Sequence, residues 1–255
     1  MAGLTHPTLA VAALVAATAA AVYLHVGLAF YRRPTPPEAR LPLRMFALWW
    51  LATGVNILLG ASFIAAAAFG ATDLWLQSTY SILQRLLLAA ALLGLVHYLL
   101  VLVRGRAPFR TLLVFYAAYG MLLIGTLYAN DPVGVYVGDW RTDLVYAHES
   151  PAWVNLLSVA LLILPPVGLS IAAMAVPRRL APSQRPQRNR ITLVALAVIT
   201  WWIVAVLAGQ REAFGSEYLQ VFNRFLGLSM ALVVLAAYDS PAWLRPWVAT
   251  PAEGD

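Results

Sequence analysis

Two arginines lie inside apolar segments, where a charged side chain is costly. Arg85 follows Gln84 in the segment STYSILQRLLLAA, and Arg224 follows Asn223 in EYLQVFNRF. A charge within a membrane-spanning helix costs on the order of 3 kcal/mol or more unless it is solvated or paired, so such a residue indicates a functional site. The alternative is that each long side chain bends its guanidinium back to the membrane surface.

Polar neighbours share a helix face with these arginines. At 100° per residue, one stripe holds Glu217, Gln220 and Arg224, and the other holds Gln77, Tyr80, Ser81 and Gln84. Two stripes at equal depth predict a water-lined cavity open to the outside, with Asn56 as its floor and Tyr128 and Trp201 or Trp202 as walls. The predicted ligand-binding residues are Arg85, Arg224, Gln84, Gln220, Glu217, Asn56 and Tyr80. The alternative is that these side chains only hold helices together.

The chemistry of the stripes favours an anionic or carboxylate-containing ligand, because guanidinium groups bind carboxylates bidentately. Arg85 and Arg224 would supply the positive charge, and the amides would orient the ligand. Glu217 would set the electrostatic balance, or it would neutralise Arg224 from two turns away and leave a purely structural pair.

Two histidines form a second constellation. His25 and His97 each lie seven residues before an arginine, Arg32 and Arg104 respectively, so we expect both in the inner half of parallel helices. Histidines on neighbouring helices hold b-type haem in membrane bundles and also relay protons. The alternative is two unrelated histidines that donate to backbone carbonyls. No other cofactor is predicted.

Several kinds of chemistry are excluded by composition. The chain has no cysteine and no lysine, since all 17 of its Lys and Arg residues are arginine. Disulfides, thiol catalysis, CxxC metal sites and Schiff bases are therefore ruled out. No metalloprotease, serine-hydrolase or phosphate-loop motif occurs, so we do not predict an enzyme. The arginines lie between hydrophobic segments and not on a basic face, so nucleic acid is not a predicted partner.

Composition also indicates the fold class. Of 255 residues, 62% are hydrophobic and 11% are charged, which is typical of a polytopic membrane protein. Runs of about 20 apolar residues predict one all-α domain, a seven-transmembrane helix bundle. The predicted spans are 9–31, 45–69, 75–103, 111–128, 153–176, 191–209 and 217–238, followed by a short tail at 239–255. The segment NDPVGVYVGDWRTDLVYAHESPAW predicts a short hairpin or a helical cap.

The arginines predict the orientation of these spans. Thirteen of the 17 lie on one side, in the first, third and fifth connections and in the tail. The positive-inside rule makes that side cytoplasmic. We therefore expect a multi-pass protein of the cell membrane, surrounded by the lipid bilayer, with its N-terminus outside and its C-terminus in the cytoplasm. Homo-oligomerisation stays open.

Two families share this layout. The chain resembles microbial rhodopsins, including an arginine at Arg85 in the third span, but its last span, NRFLGLSMALVVLAAY, has no lysine to hold retinal. It also resembles the seven-transmembrane sensor regions of bacterial histidine kinases, in the first inner loop and aromatic entry of YRRPTPPEARLPLRMFALWW and in the basic run of SQRPQRNRITLVALAV. The second resemblance implies a sensor that signals to a separate cytoplasmic partner.

A small-solute transporter with a three-one-three helix repeat is the main alternative. Its signals are the amide–arginine pairs at 84–85 and 223–224 and the tryptophan pairs at 49–50 and 201–202, which we place at different depths. Parallel repeats about an axis along the membrane normal are a known transporter plan. We favour a receptor- or sensor-like protein, with the transporter and then a haem protein using His25 and His97 as alternatives.

Overall fold

The computed structural model describes residues 4–128, 132–148, 152–179, 184–209, 217–239 and 241–248. In these ranges the chain is mostly helical. The long helices are α1 (Pro7–Arg32), α2 (Pro37–Ala68), α3 (Leu74–Arg104), α4 (Phe109–Tyr128), α5 (Ala152–Ala173), α6 (Arg185–Gly209) and α7 (Tyr218–Asp239). A hairpin of β1 (Pro132–Val137) and antiparallel β2 (Thr142–Tyr146) follows α4, and the short α8 (Arg245–Val248) follows α7. Of the two predicted structures for this segment, the hairpin is the one observed.

Among the described residues, four helical segments are long and apolar enough to cross a membrane. They are Pro7–Arg32, Pro37–Ala68, Leu74–Arg104 and Val221–Asp239, with hydropathies of 2.1, 1.8, 2.6 and 1.7. Within the described ranges, α4 and α5 contribute the shorter apolar stretches Phe109–Gly125 and Ile163–Ala173. The prediction of a mostly helical chain with apolar helices long enough to cross a membrane is therefore confirmed.

Local sequence sets several helix boundaries. Proline occupies the first turn of both α1 and α2, where its missing N–H group costs nothing. This is why α2 begins at Pro37 and not at residue 45. At the start of α3, the Asp73 side chain accepts a hydrogen bond of 2.7 Å from the backbone N–H of Leu76, as an N-cap does.

The helices form a bundle in which α1 packs on α2 and α7, α2 packs on α3, and α6 packs on α7. Small side chains make the α1 contacts close, since Ala12, Ala16 and Ala19 are almost fully buried. Aromatic rings fill the half of the core nearest the end of α1 and the start of α2. This aromatic layer consists of Phe30, Phe46, Trp49, Trp50, Tyr98 and Tyr238.

The hairpin covers the opposite end of the bundle. Val137 and Trp140 pack against a small apolar cluster that contains Leu9 of α1 and Ile64 of α2. Both strands also contact α3. The polar interior of the bundle therefore lies between the hairpin and the aromatic layer.

Candidate functional site

A cavity of about 300 Å³ lies between α1, α2, α3, α6 and α7. Its wall contains three of the predicted ligand-binding residues, Asn56, Gln84 and Arg224, and both predicted tryptophans, Trp201 and Trp202. The other lining residues are Ala16, Ala19, Tyr23, Trp49, Thr53, Ile57, Gly60, Ala61, Leu87, Leu88, Ala91, Leu92, Asn223 and Gly227. Of the two predicted polar stripes, Gln84 of α3 and Arg224 of α7 therefore line the same cavity.

Arg224 supplies the positive charge of this cavity. Its Nη1 atom lies 3.4 Å from the carbonyl oxygen of Ala12 on α1, which is long for a hydrogen bond. No carboxylate is found among the described lining residues. Asp143 of β2 is the acidic side chain whose charge acts on the guanidinium from outside the wall. The cavity itself is therefore positive and rich in donors.

Three polar atoms of the cavity lining are buried without a hydrogen-bond partner among the described residues. They are Oδ1 of Asn56, Oδ1 of Asn223 and Nε1 of Trp202. Buried polar groups in folded proteins are nearly always hydrogen-bonded, by protein, water or ligand. A molecule that both donates, to the amide oxygens, and accepts, from the indole and the guanidinium, would complete this set.

Gly227 shapes the cavity next to Arg224. A Cβ atom at this position would lie 2.6 Å from the Tyr23 hydroxyl and 3.1 Å from Nε1 of Trp201. Both distances are too short for a side chain to be accommodated without displacement of these rings. The glycine therefore lets a phenol from α1 and an indole from α6 approach α7 closely.

Arg85 faces an adjoining cavity and not the one that contains Arg224. This second cavity, of about 350 Å³, is lined by Asn56, Ser81, Gln84, Arg85, Leu88 and Leu123. Arg85 donates to the carbonyl of Ser81 at 3.2 Å and to the Tyr146 hydroxyl of β2 at 3.5 Å. Because consecutive helical residues point about 100° apart, Gln84 lines both cavities and Arg85 only the second. Asn56 is part of the shared wall and is not a floor.

Glu217 lies outside both cavities, at the hairpin. Its carboxylate accepts hydrogen bonds from the Tyr136 hydroxyl at 2.7 Å and from the backbone N–H of Trp140 at 2.8 Å. Arg141 lies 4.0 Å from it and 3.2 Å from Asp143. The expectation that Glu217 balances charge within the cavity, or pairs directly with Arg224, is therefore wrong. We call this group of Tyr136, Trp140, Arg141 and Glu217 the carboxylate clamp.

The clamp shifts the acidities of its members. Partial burial raises the pKa of Glu217, but the hydrogen bonds from Trp140 and Tyr136 and the charge of Arg141 outweigh burial and hold that pKa below its ordinary value. The same bond to Glu217, together with the negative charge, raises the pKa of the Tyr136 phenol. Both shifts stabilise the ionised carboxylate and the neutral phenol.

The remaining predicted residues are Tyr80 and Gln220. The Tyr80 ring packs edge-on against Phe63 of α2, with centroids 3.7 Å apart, so it contributes to the α2–α3 contact. Gln220 belongs to the backbone of α7, but its side chain lies outside the described part of the structure.

The histidines are not brought together. His97 is 2% exposed and packs against Phe109, with ring centroids 5.7 Å apart. His25 lies on the exposed face of α1. A haem held between two histidines of one chain would need both in one pocket. The predicted haem pair therefore does not form within this chain.

Sequence reasoning missed Tyr23, Thr53 and Gly227 as lining residues. The signal was present on α2, where Thr53, Asn56 and Gly60 follow the spacing of one helix face. The prediction that the tryptophan pairs differ in depth is also wrong, since the rings of Trp49 and Trp201 lie 6.0 Å apart.

Comparison with known protein families finds no match, and comparison with curated proteins finds no significant relative. The function is therefore inferred from the residues of the cavity.

Proposed function

We propose that the protein is a receptor-like seven-helix membrane protein whose central cavity binds a small anionic ligand, with carboxylates as the leading class. The observation that carries this proposal is the cavity of about 300 Å³ that contains Arg224 and three polar atoms with no hydrogen-bond partner among the described residues. A volume at the lower end of the range of ligand pockets fits a small molecule. Arg224 would bind its carboxylate, and Trp202, Asn56 and Asn223 would orient its remaining polar groups.

The topology we propose has seven spans, with the N-terminus outside and the C-terminus in the cytoplasm. The described residues include seven long helices in succession, and an odd number of spans would put the two ends of the chain on opposite sides, which supports this topology. Arginines cluster at the end of α1 and the start of α2, and Arg33 lies 3.9 Å from Asp239 at the end of α7. An arginine-rich end is the cytoplasmic one by the positive-inside rule. The hairpin and the cavity then belong to the outer half.

The aromatic layer supports a binding role. Trp49 lines the cavity and contacts Trp50, with centroids 4.4 Å apart, and Phe46 and Tyr98 stack behind them at 4.2 Å. The Tyr98 and Tyr238 hydroxyls are hydrogen-bonded at 2.9 Å. These packed rings lie between the cavity and the arginine-rich end, which supports a ligand that is held and not passed on. A separate cytoplasmic protein would receive the signal.

One observation favours the transporter as a second candidate. The Trp49–Trp201 contact puts the tryptophan pairs of α2 and α6 at the same depth. The pairs Gln84 with Arg85 and Asn223 with Arg224 also lie in adjoining cavities. These pairings are what a three-one-three repeat requires. Transport would further need the aromatic layer to open.

Ligand binding is tested with the detergent-purified protein and matched probes, namely lactate, benzoate and glutamate, each beside its uncharged amide counterpart. We expect at least one carboxylate to raise the melting temperature while its amide does not. Arg224→Gln should raise the dissociation constant of that carboxylate by tenfold or more, because it removes a charge-assisted hydrogen bond. Arg104→Gln, an exposed arginine remote from the cavity, is the control. Equal responses of carboxylate and amide, or of wild type and Arg224→Gln, would contradict the proposal.

Proteoliposomes separate receptor from transporter. Uptake of a carboxylate that binds, lost in Arg224→Gln and retained in Arg104→Gln, would support transport. Binding without uptake would support the receptor.

A further inference from the structure

A third cavity, separate from the two described above, lies at the arginine-rich end of the bundle. It measures about 220 Å³ and is formed by the end of α1, the turn that follows and the first turns of α2. Its lining includes four arginines, Arg32, Arg33, Arg40 and Arg44. We call it the arginine pocket. It shares no lining residue with the cavity around Arg224.

The positive charge of the arginine pocket is largely uncompensated. Within the described residues, Arg32 and Arg40 have no hydrogen-bond or ion-pair partner. Arg44 lies only over the Tyr31 ring, at 5.4 Å. Arg33 alone meets a carboxylate, that of Asp239 at 3.9 Å, and this carboxylate is itself 57% exposed. Four arginines therefore line one pocket, and in the part of the chain that the structure describes only one of them forms an ion pair.

The turn fixes the positions of these arginines. Pro34 lines the pocket, Pro37 begins α2, and the Thr35 hydroxyl donates to the Arg33 carbonyl at 2.8 Å. Proline restricts the backbone, so little backbone freedom is lost when an anion binds. A diffuse attraction of anions to surface arginines would not require such a pocket.

We propose that the arginine pocket binds a phosphate group. Guanidinium forks match phosphate oxygens in bidentate geometry, and basic pockets between helices at a membrane surface bind anionic headgroups. The phosphate comes either from an anionic phospholipid headgroup or from free phosphate. Binding would tie the ends of α1 and α2 to each other.

The test uses the full chain in detergent and two probes, dioleoylphosphatidylglycerol and inorganic phosphate, with phosphatidylcholine as the zwitterionic comparison. Native mass spectrometry measures retained lipid, and the melting temperature reports inorganic phosphate. The variant Arg32→Gln/Arg40→Gln should bind the responding probe on the order of tenfold more weakly. Arg104→Gln/Arg106→Gln removes the same charge from exposed arginines at the same end and should behave as wild type.

If Arg32→Gln/Arg40→Gln loses only the binding of phosphatidylglycerol, the pocket is a lipid headgroup site. If this variant loses the response to inorganic phosphate, the pocket is a free phosphate site. Equal binding in the two double variants, or no preference of wild type for either probe, overturns the proposal. If the first double variant does not fold, Arg40→Gln and Arg40→Lys replace it. The lysine, which keeps the charge but not the fork, should then bind more weakly than wild type and more tightly than the glutamine.

Discussion

Glu217 and Arg224 lie two helical turns apart around the start of α7, yet their surroundings differ. The Glu217 carboxylate accepts two hydrogen bonds of 2.7 and 2.8 Å and has Arg141 beside it. Arg224 reaches one carbonyl at 3.4 Å, in a cavity where three polar atoms have no described partner. Buried polar groups need partners, so the Glu217 carboxylate forms a complete site without a ligand, whereas the cavity around Arg224 is an incomplete one. The number of hydrogen-bond and ion-pair partners therefore distinguishes a charged side chain with a structural role from one that can bind a ligand.

The largest effect is expected at the complete site. Glu217→Ala leaves the Tyr136 hydroxyl and the Trp140 N–H without their acceptor, and we expect it to lower the free energy of unfolding by about 2 kcal/mol, or roughly 4–8 °C in melting temperature. Arg224→Gln should leave the melting temperature unchanged or raise it, because burial of a charge in the bundle is unfavourable. Differential scanning fluorimetry of both variants checks the contrast. If Arg224→Gln lowers the melting temperature more than Glu217→Ala does, Arg224 is the structural residue of the two.

A smaller effect is expected at Gly138, which precedes the turn of the hairpin. A Cβ atom there would overlap the Glu217 carboxylate, so Gly138→Ala should push the carboxylate from its donors and destabilise the protein by about 1–2 kcal/mol. Gly134→Ala in β1 is the control, since its Cβ would meet only Val145, at 4.0 Å. Equal melting temperatures for the two variants would show that the clamp does not hold Glu217 tightly.

The clamp should also make stability depend on pH. The folded pKa of Glu217 lies below its ordinary value of 4.5, so its contribution is present above that value and is lost as the pH falls through the folded pKa. The folded pKa of Tyr136 lies above its ordinary value of 10.0, so its contribution is lost as the pH rises through the folded pKa. Melting temperatures of wild type and Glu217→Ala should therefore converge at both extremes. A constant difference across the whole pH range would contradict this.

The part of this comparison that the sequence predicted concerns residues within single helices. Helical periodicity selects Gln84 and Arg224 as inward-facing, and the structure places both in one wall. Periodicity could not predict that Arg85 lines the adjoining cavity. Arg85 points about 100° away from Gln84, and which cavity it faces depends on where the neighbouring helices lie. Periodicity also could not detect the clamp, whose contact between Glu217 and Tyr136 spans 81 positions.

The depth of a residue along its helix is a second feature that the sequence predicted poorly. The tryptophan pairs are predicted to lie at different depths, but α2 and α6 begin at Pro37 and Arg185, well before their apolar runs. Polar and charged residues can extend a helix beyond the membrane core, so the end of an apolar run is a poor marker of depth. The Trp49–Trp201 contact corrects the estimate.

The smallest effect on stability is expected at Asn223, in the incomplete site. Its Oδ1 atom is buried without a described partner, so Asn223→Leu, which keeps a similar shape, should change the free energy of unfolding by less than about 1 kcal/mol in either direction. Asn189 is the matched control, because its Nδ2 atom donates to the Trp247 carbonyl at 2.7 Å, and Asn189→Leu should lower the melting temperature.

The effects of the two variants on carboxylate binding should have the opposite order to their effects on stability, since Asn223 lines the cavity and Asn189 does not. Asn223→Leu should weaken the response to the carboxylate probes, and Asn189→Leu should leave it intact. If Asn223→Leu instead lowers the melting temperature more than Asn189→Leu does, Asn223 is a structural residue. The cavity would then resemble the clamp, and the distinction drawn between Glu217 and Arg224 would not extend beyond those two side chains.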